Sequence, residues 1–285
     1  MSDRAASIPV SVVIPVKNEA EALPACLERL VPFAEVIVVD SHSTDATAQI
    51  AIDWGARVIQ FQWSGGYPKK RNHVLLNEMI AAPWVLFLDA DEHVTQEFCS
   101  ELLNTLQTTN NVGFWITYSN VFNAQTLRYG VPQRKLSLIK NGAGLYEHID
   151  DAGWSALDME VHEHPVVEGS VGRIKARIDH RDDRGIERFL ARHIDYARWE
   201  AKRYLAMRHQ PETNSHLTQR QKFKYRHISR WWYPWFYFFY TVFVRGGIRD
   251  GRAGLSYALY KAWYFETVRT LITEHMNPSA DPSNA

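Results

Sequence analysis

Two aspartates one residue apart, Asp89 and Asp91, have the spacing in this sequence that most directly indicates chemistry. Carboxylate oxygens are the ligands that Mg²⁺ and Mn²⁺ prefer, and such a pair suits an ion shared with a phosphate group. Glu92 follows at once and adds a third carboxylate. The pattern indicates a metal–diphosphate site. For an isolated Asp-x-Asp, the alternative is a helix N-cap with solvated acids.

A buried strand is predicted to position this pair. Residues 84–88, Trp-Val-Leu-Phe-Leu, follow Pro83 and have the length and the aromatic or β-branched content of such a strand. Apolar runs at residues 10–14, 35–39 and 56–61 alternate with helical patterns, which predicts a parallel sheet with covered faces. Because ligands bind at the carboxyl edge of open α/β sheets, the polar residues that follow these strands are expected to share one crevice.

Polar residues follow the strands, or begin the helix predicted over residues 70–81. They are Asn18 and Glu19, Asp40 and Ser43, Lys70 and Arg71, and Asp89 and Asp91. Asp40 can accept hydrogen bonds from a base or ribose, Arg71 can offset diphosphate charge, and the Asp pair can hold the metal. Each residue alone is commonly a cap or a solvated charge, but together they predict a nucleoside diphosphate site. The absence of Gly-x-Gly-x-x-Gly after the first strand disfavours a dinucleotide dehydrogenase.

The composition narrows the class of protein. The 285 residues carry 32 basic and 32 acidic side chains, so no overall field indicates nucleic acid. Cys26 and Cys99 are far apart and predict neither a disulfide framework nor a cysteine metal site, which fits a reducing compartment. No run reaches the roughly 18 apolar residues of a spanning helix, and the N-terminus lacks a signal-peptide core. A cytoplasmic protein is expected.

Four ordered motifs resemble those of the family-2 inverting glycosyltransferases with the GT-A fold. They begin at Ser11, Val38, Lys70 and Leu88 and read Ser-Val-Val-Ile-Pro-Val-Lys-Asn-Glu, Val-Val-Asp-Ser-His-Ser-Thr-Asp, Lys-Arg-Asn and Leu-Asp-Ala-Asp-Glu. The resemblance covers about the first 110 residues and is greatest to the lipopolysaccharide-core β-1,4-glucosyltransferase type, which has Gly in place of His42. The expected fold is α/β, a Rossmann-like, mostly parallel GT-A sheet with helices on both faces, followed by C-terminal aromatic amphipathic helices.

The resemblance implies that a nucleotide-sugar donor, with a UDP-sugar favoured, binds together with Mg²⁺ or Mn²⁺. It implies nucleotide binding at Pro15, Asn18, Glu19, Asp40, Arg71 and Asp89, with Asp91 as metal ligand. Asp89 is the second predicted metal ligand. Four neighbours in the same motifs complete the predicted donor site: Val16, Ser43, Lys70 and Ala90.

A second cluster lies at residues 159–165, Met-Glu-Val-His-Glu-His-Pro. The resemblance places a Val-His-Glu of this kind near the reaction centre. An inverting transfer needs a base that takes the proton from the acceptor hydroxyl, and we assign Glu163 to this role. His162 is a candidate third metal ligand, with His164 behind it. The structural alternative is a strand with solvent-facing histidines. The rival bases are Asp158, Glu160, and the pair Asp150 and Asp151.

The C-terminal third contains a basic cluster followed by an aromatic run. Residues 220–230 contain five Lys or Arg and no acid, and residues 231–240 are almost entirely aromatic. Trp and Tyr favour the headgroup level of a membrane, and basic residues are attracted to anionic lipids, so residues 218–265 are expected to contact the inner membrane surface. A buried helix pair or a dimer interface is the alternative. Binding of single-stranded nucleic acid is disfavoured by the neutral chain and the sugar-nucleotide motifs.

Three regions are expected. Residues 1–182 form the catalytic domain, with a donor half at 8–110 and an acceptor half at 111–182; residues 183–276 form a helical membrane-associating region; residues 277–285 are a disordered tail. A long helix at 186–208 is expected to pack its apolar stripe on the catalytic domain.

The expected function is inverting transfer of a sugar, a hexose, from a nucleotide-sugar to a lipid-linked glycan. The pathway is the synthesis of lipopolysaccharide or another cell-envelope polysaccharide, and the enzyme is peripheral on the cytoplasmic face of the inner membrane. One alternative acceptor is a polyprenyl phosphate, which is already a nucleophile and depends less on Glu163. The other alternative is a non-catalytic nucleotide-binding scaffold docked to the membrane.

Overall fold

The computed structural model describes residues 7–149, 151, 154–155, 157–159, 164–181, 185–209 and 217–276. The chain divides into two compact units. The first consists of Met1–Asn120 and Pro132–Arg181, and the second of Val121–Val131 and Asp182–Ala285. The segment between Asn120 and Pro132, which the sequence places in the acceptor half, therefore groups with the C-terminal helices. The predicted tail at 277–285 lies outside the described residues.

The parallel part of the sheet is built from the first four strands. These are β1 (Ile8–Val16), β2 (Phe33–Asp40), β3 (Arg57–Gln60) and β4 (Trp84–Phe87), arranged in the order β3-β2-β1-β4. Helices α1 (Leu23–Leu27), α2 (Thr47–Trp54) and α3 (Lys70–Asn77) lie between them in the chain. The predicted alternation of strands and helices is confirmed, and the carboxyl ends of all four strands lie at one edge of the sheet.

The remaining strands extend this sheet with antiparallel pairs. They are β5 (Glu92–His93), β6 (Gly113–Phe122), β7 (Gln125–Thr126), β8 (Gln133–Lys140) and β11 (Val171–Arg181). The sheet continues from β4 in the order β8-β6-β11-β5, with β7 paired to β6, and helix α4 (Gln96–Thr108) follows β5. A separate two-stranded sheet joins β9 (Gly144–Tyr146) to β10 (Pro165–Val167). The α/β class is confirmed, and the nucleotide-motif half contains the parallel pairs β1–β2, β1–β4 and β2–β3.

Side chains of the parallel strands alternate between two apolar cores. Val12 and Ile14 of β1 pack with residues of α1, α2 and α4, whereas Val13 packs with Val74 of α3. This alternation follows from the two-residue period of a strand and shows that helices cover both faces. Helix α3 ends at Asn77 rather than near residue 81, because Glu78 is extended and Arg57 of β3 donates to the Met79 carbonyl at 2.5 Å.

The second unit is helical. It contains α5 (Ile186–His209), α6 (Gln219–His227), α7 (Tyr233–Phe239) and α8 (Gly251–Met276), with a π-helical turn at Tyr240–Val244 and a 3₁₀ turn at Gly247–Asp250. Ala197 and Ala201 of α5 pack with Tyr264 and Phe265 of α8. The expectation that this stripe packs on the catalytic domain is wrong for these two residues, because α8 supplies their apolar partner. Near the start of α5 the expectation is confirmed, since Phe189 packs with Phe122, which the sequence assigns to the acceptor half. Among the described residues, no helix has the length and hydropathy needed to cross a membrane.

Candidate active site

Asp89 follows β4 and is held by two cations. Arg71, on the first turn of α3, donates to Asp89 Oδ1 at 2.8 Å, and Lys135 of β8 donates to Oδ2 at 2.6 Å. Burial acts to raise the pKa of Asp89, but the charges of Lys135 and Arg71 outweigh it and hold that pKa well below its usual range. Asp89 is therefore an ionised carboxylate over the whole physiological pH range.

Lys135 also connects Asp89 to the buried Glu92. Its ammonium lies 2.5 Å from Glu92 Oε1, and the Asp89 backbone N–H donates to Glu92 Oε2 at 3.1 Å. Burial raises the pKa of Glu92, and Lys135 opposes that shift. Lys135 lies 5.2 Å from the centre of the Tyr118 ring, and burial counts against its charge, but Asp89 and Glu92 raise the pKa of Lys135 well above its usual value. The loop after β4 is thus fixed by a compact network of opposite charges.

Asp91 is buried and faces a histidine from the far end of β11. Its Oδ1 lies 3.5 Å from His180 Nε2, and His180 Nδ1 lies 3.1 Å from Asn120 Oδ1. When the Asn120 oxygen accepts from Nδ1–H, a neutral imidazole presents its Nε2 lone pair to the Asp91 carboxylate. Two acceptors at this distance are stabilised by a proton or a metal ion between them. The contact with Asn120 fixes the orientation of the His180 ring through its other nitrogen, as second partners do for histidines that bind metal ions.

The loops after β1 and β2 are joined by side-chain hydrogen bonds. The Asn18 N–H donates to Ser43 Oγ at 2.8 Å, and the Thr44 N–H donates to Asn18 Oδ1 at 2.8 Å. The Glu19 N–H donates to Thr47 Oγ1 at 2.8 Å. Asn18 and Ser43 therefore fix the shape of the crevice at this edge, as expected of residues in two motifs that act together.

Asp40 is buried at the end of β2, and its carboxylate is oriented from two sides. It accepts hydrogen bonds from the backbone N–H and the hydroxyl of Ser43, and from Gln60 Nε2 at 3.0 Å. Next to it, His42 has a left-handed backbone with φ of 51°. That conformation favours Gly, which explains why Gly occupies this position in the type that the sequence resembles.

Three other residues predicted to bind the nucleotide-sugar lie in the sheet and its core. Pro15 and Val16 are the last residues of β1 and pair with Val39 and Asp40 of β2. The Val16 carbonyl accepts from Lys70 Nζ at 3.0 Å. Ala90 is buried in the core that covers one face of the sheet. In this structure their side chains position the loops.

Two rival bases are engaged by the lysines at the start of α3. Lys70 is buried and lies 3.3 Å from Asp158 Oδ2, which also accepts from the Ser41 hydroxyl. Lys69 is buried in an ion pair with Asp151. Burial lowers the pKa of Lys70, and Asp158 opposes that shift. Asp151 and Asp158 thus hold the α3 lysines.

The remaining residues of the second cluster fall mostly outside the structure. Glu163, His162, Glu160 and Asp150 lie outside the described residues, so the assigned base and the predicted third metal ligand stay predictions. His164 is described, and its ring lies edge-on to Trp115 with centroids 5.4 Å apart.

Sequence reasoning missed Lys135 and His180. Each lies on a strand of the antiparallel half, 40 or more residues after the Asp pair. No local pattern marks either residue, because a single Lys or His on a strand is common. Only the pairing of β11 with β5, which places His180 opposite Glu92, brings it to the site.

The model of the family described as glycosyl transferase family 2 matches residues 11–164, more than half of the chain. The chain belongs to glycosyl transferase family 2. The match covers the four motifs and continues through the cluster that contains Glu163.

Individual relatives are more distant. The lipopolysaccharide core biosynthesis glycosyltransferase LpsC of Rhizobium meliloti (strain 1021) is 31% identical over 179 residues, which are 59% of this chain and 61% of LpsC. The chain thus spans less than two thirds of that relative. The S. aureus TarS 1–349 structure covers 94% of this chain and 91% of its own, with 17% identity and a TM-score of 0.46. A Mycobacterium tuberculosis glucosyl-3-phosphoglycerate synthase structure covers 39% and 43%, with 27% identity and a TM-score of 0.32.

The side chains at the carboxyl edge of the sheet offer few ligands for a divalent metal ion. The part of the chain that the structure describes contains no group of three or more His, Cys, Asp or Glu side chains suited to a metal. Mg²⁺ is commonly bound by one or two carboxylates together with substrate phosphates. Asp91, with His180 Nε2 at 3.5 Å from its Oδ1, provides a smaller set of this kind.

Proposed function

We propose that this protein is an inverting glycosyltransferase that moves a hexose from a nucleotide-sugar to a lipid-linked saccharide. The observation that carries the proposal is the ionised Asp89, clamped by Arg71 and Lys135, next to the buried Asp91–His180 pair at the carboxyl edge of β4. Buried carboxylates paired in this way, at the edge where α/β sheets bind ligands, favour catalysis over a purely structural role.

The donor residues have separate tasks in this proposal. Asp40, oriented by Ser43 and Gln60, accepts hydrogen bonds from the base or the ribose of the nucleotide. Arg71 and Lys135 supply positive charge beside the diphosphate. Asp91 and His180 would hold a divalent ion, to which the sequence prediction adds Asp89 and His162. When bound, that ion stabilises the charge on the departing nucleoside diphosphate.

Glu163 is the proposed base for the acceptor hydroxyl. Its two described rivals support this choice indirectly, since Asp151 is buried against Lys69, and Asp158 is held by Lys70 and Ser41. A carboxylate that is committed to an ion pair is a poor acceptor for the proton of an incoming hydroxyl. Glu160 and Asp150 stay as the alternatives.

The acceptor and the place of reaction belong to the same proposal. A lipopolysaccharide core glycosyltransferase among the relatives, together with the resemblance of the four motifs, supports a lipid-linked saccharide of the cell envelope as acceptor. Residues 218–265 would hold the enzyme on the cytoplasmic face of the inner membrane, where such acceptors are assembled. Transfer to a polyprenyl phosphate is the second candidate, and it would show little dependence on Glu163.

The test is calorimetry with UDP, GDP, CDP and dTDP, with and without Mn²⁺. The proposal predicts micromolar, metal-dependent binding of one of these nucleotides. Binding should be lost in Asp91→Ala and kept in the matched surface variant Asp53→Ala, and the nucleotide that binds identifies the nucleobase of the donor. UDP is expected. If none of the four binds, the transferase proposal is wrong and the nucleotide fold serves another purpose.

A further inference from the structure

Four large aromatic side chains are exposed in the turn before α7, on α7 itself and on the π-helical turn after it. Trp231, Trp235, Phe239 and Phe243 recur every four residues, and their exposed fractions are 74%, 56%, 53% and 60%. Phe239 and Phe243 are stacked with ring centroids 6.0 Å apart. Because residues four apart share a helix face, Trp235, Phe239 and Phe243 lie on one side of these helical turns, and Trp231 is in the turn just before α7. Together, Trp231, Trp235, Phe239 and Phe243 are called the aromatic ridge.

The core of the second unit does not need the ridge residues, because other aromatic residues of α7 pack into it. Tyr233 and Tyr237 contact Phe265 of α8, with ring centroids 5.1 and 4.7 Å apart. The same cluster includes residues of α5. The core of the second unit is therefore complete without the ridge, and exposed apolar patches of this kind mark interaction surfaces.

Helix α8 repeats the pattern on its first half. Leu255, Leu259 and Trp263 also recur every four residues and are exposed. In between, Ala258 and Ala262 are buried. Both α7 and α8 thus present an apolar line outward while an opposite face packs in the core.

The charges around the ridge have one sign. Residues 213–265 contain nine Lys or Arg and a single acid, Asp250, although the chain as a whole is neutral. Asp250 is buried, and its carboxylate accepts from the backbone N–H groups of Arg128 and Tyr129. Seven of the basic residues are exposed: Arg220, Lys222, Arg226, Arg230, Arg245, Arg249 and Arg252. The exposed charge of this segment is therefore positive.

We propose that the aromatic ridge inserts into the headgroup region of an anionic bilayer, while the surrounding arginines bind lipid phosphates. This rests on the proposed function, because it names the surface through which the transferase reaches a lipid-linked acceptor. Trp and Phe on one line with Arg beside them is the chemistry of a helix that lies in the membrane interface. Exposed apolar residues alone would also suit a dimer interface. A positively charged surface, however, repels the same surface of a second copy and is attracted to an anionic leaflet.

Vesicle sedimentation of the full chain tests the surface. The probes are vesicles of phosphatidylcholine alone and vesicles with an equal part of phosphatidylglycerol. The triple variant Trp235→Ser, Phe239→Ser, Phe243→Ser is expected to bind both kinds at least about tenfold more weakly, since each inserted ring contributes apolar burial. The variant Arg226→Gln, Arg230→Gln, Arg245→Gln is expected to lose the preference for anionic vesicles, because each charge contributes about 1 kcal/mol.

A matched control comes from the first unit. Val31 and Met79 are highly exposed apolar residues outside the segment, so Val31→Ser with Met79→Ser removes apolar surface without touching the ridge. This control should sediment as the unchanged chain does. All variants should keep the unchanged thermal unfolding, since the substituted side chains are exposed.

Two outcomes would contradict the proposal that the aromatic ridge binds a membrane. Unchanged sedimentation of the ridge variant is one. The other is a dimer in light scattering that the ridge variant dissociates, combined with no vesicle binding by the unchanged chain, which would assign the ridge to a second copy. Nucleotide calorimetry on the same samples separates the two proposals: a ridge variant that still binds nucleotide has lost only the membrane surface. An unchanged chain that binds vesicles but no nucleotide leaves the surface standing without the transferase.

Discussion

At the carboxyl edge of β4, the first unit buries charged side chains, whereas between residues 231 and 263 the second unit exposes aromatic ones. Glu92 and Lys70 are almost fully buried, and Trp231 is among the most exposed large apolar residues of the described chain. Both placements reverse the usual distribution of side chains in soluble proteins. These are the two regions to which the donor site and the membrane surface are assigned in the proposals above.

The two regions also differ in how their free-energy cost is offset. Buried charges are tolerated at the sheet edge because each has an opposite charge within hydrogen-bond distance, as Lys135 has in Asp89 and Glu92. Exposed rings on α7 have no such internal compensation, and only a partner surface removes them from water. Variants of the first region should therefore affect chemistry and stability, and variants of the ridge should affect binding alone.

The largest effect is expected for Asp91→Asn, which keeps the shape of the side chain and removes its charge. Transfer, measured as release of the nucleoside diphosphate from its sugar donor, should fall by roughly 10²–10³-fold, because the charge that is proposed to hold the metal is lost. The surface variant Asp53→Asn on α2 is the control and should be unchanged. Activity of Asp91→Asn within threefold of the unchanged chain would remove Asp91 from the metal site.

The next effect concerns stability. Lys135→Met leaves Glu92 buried beside Asp89 without their shared cation, and removal of one partner from a buried pair should lower the free energy of unfolding by about 3 kcal/mol. Urea unfolding measures it. Lys175→Met, on an exposed position of β11, is the matched control and should stay within about 0.5 kcal/mol.

A double variant isolates the cause of that loss. Adding Glu92→Gln to Lys135→Met removes the buried charge that lost its partner. The double variant should therefore lose at least about 1 kcal/mol less free energy of unfolding than the two single variants lose together. Strict additivity would mean that Lys135 stabilises the sheet through packing and not through charge.

The sequence predicts the parallel half of the fold well, because apolar runs and motif residues there are close together in the chain. Strands and helices appear at residues 8–87 in the predicted order, with α3 shorter than expected. It does not predict β11, whose alternating exposed basic and buried apolar residues give a weak signal, or the partner of α5. Both depend on contacts between segments that are distant in the chain.

The same limit applies to the candidate site. Asp40 and Asp89 are found by their position after strands and Arg71 by its position at the start of a helix, and the structure brings Arg71 and Asp89 into direct contact. Lys135 and His180 reach the site only through antiparallel pairing, which no local period encodes. The ridge is intermediate, since the aromatic run is visible in the sequence but which rings face outward depends on the packing of α7 against α8.

Asp250 is a buried acid of the second unit that accepts hydrogen bonds from backbone N–H groups, whereas the buried Glu200 of the same unit pairs with Lys224. Asp250→Ala removes the acceptor for the N–H groups of Arg128 and Tyr129, at 3.2 and 2.9 Å, and should lower the free energy of unfolding by about 2 kcal/mol. Asp195→Ala, which breaks an exposed ion pair on α5, is the control and should change it by less than about 0.5 kcal/mol. Equal effects would show that the Asp250 contacts do not stabilise this unit.

The smallest effect concerns His93, which departs from the rule of paired buried charges in the first unit. It is buried on β5, and its Nδ1 makes no hydrogen bond with the residues described. Burial, aided by Arg29 and Arg181, lowers the pKa of His93 below its ordinary value of 6.5. The unfolded chain then binds the proton more readily than the folded one, so the stability contributed by neutral His93 is complete above that value and is lost as the pH falls below it.

Urea unfolding at a series of pH values between neutral and mildly acidic measures this loss. Relative to His93→Gln, which cannot take up the proton, the unchanged chain should lose up to about 1 kcal/mol as the pH falls through this range. The difference between the two proteins cancels the titration of the other histidines. Parallel curves would mean that His93 is protonated equally easily in the folded chain, and that the first unit accommodates an additional buried charge without a paired partner.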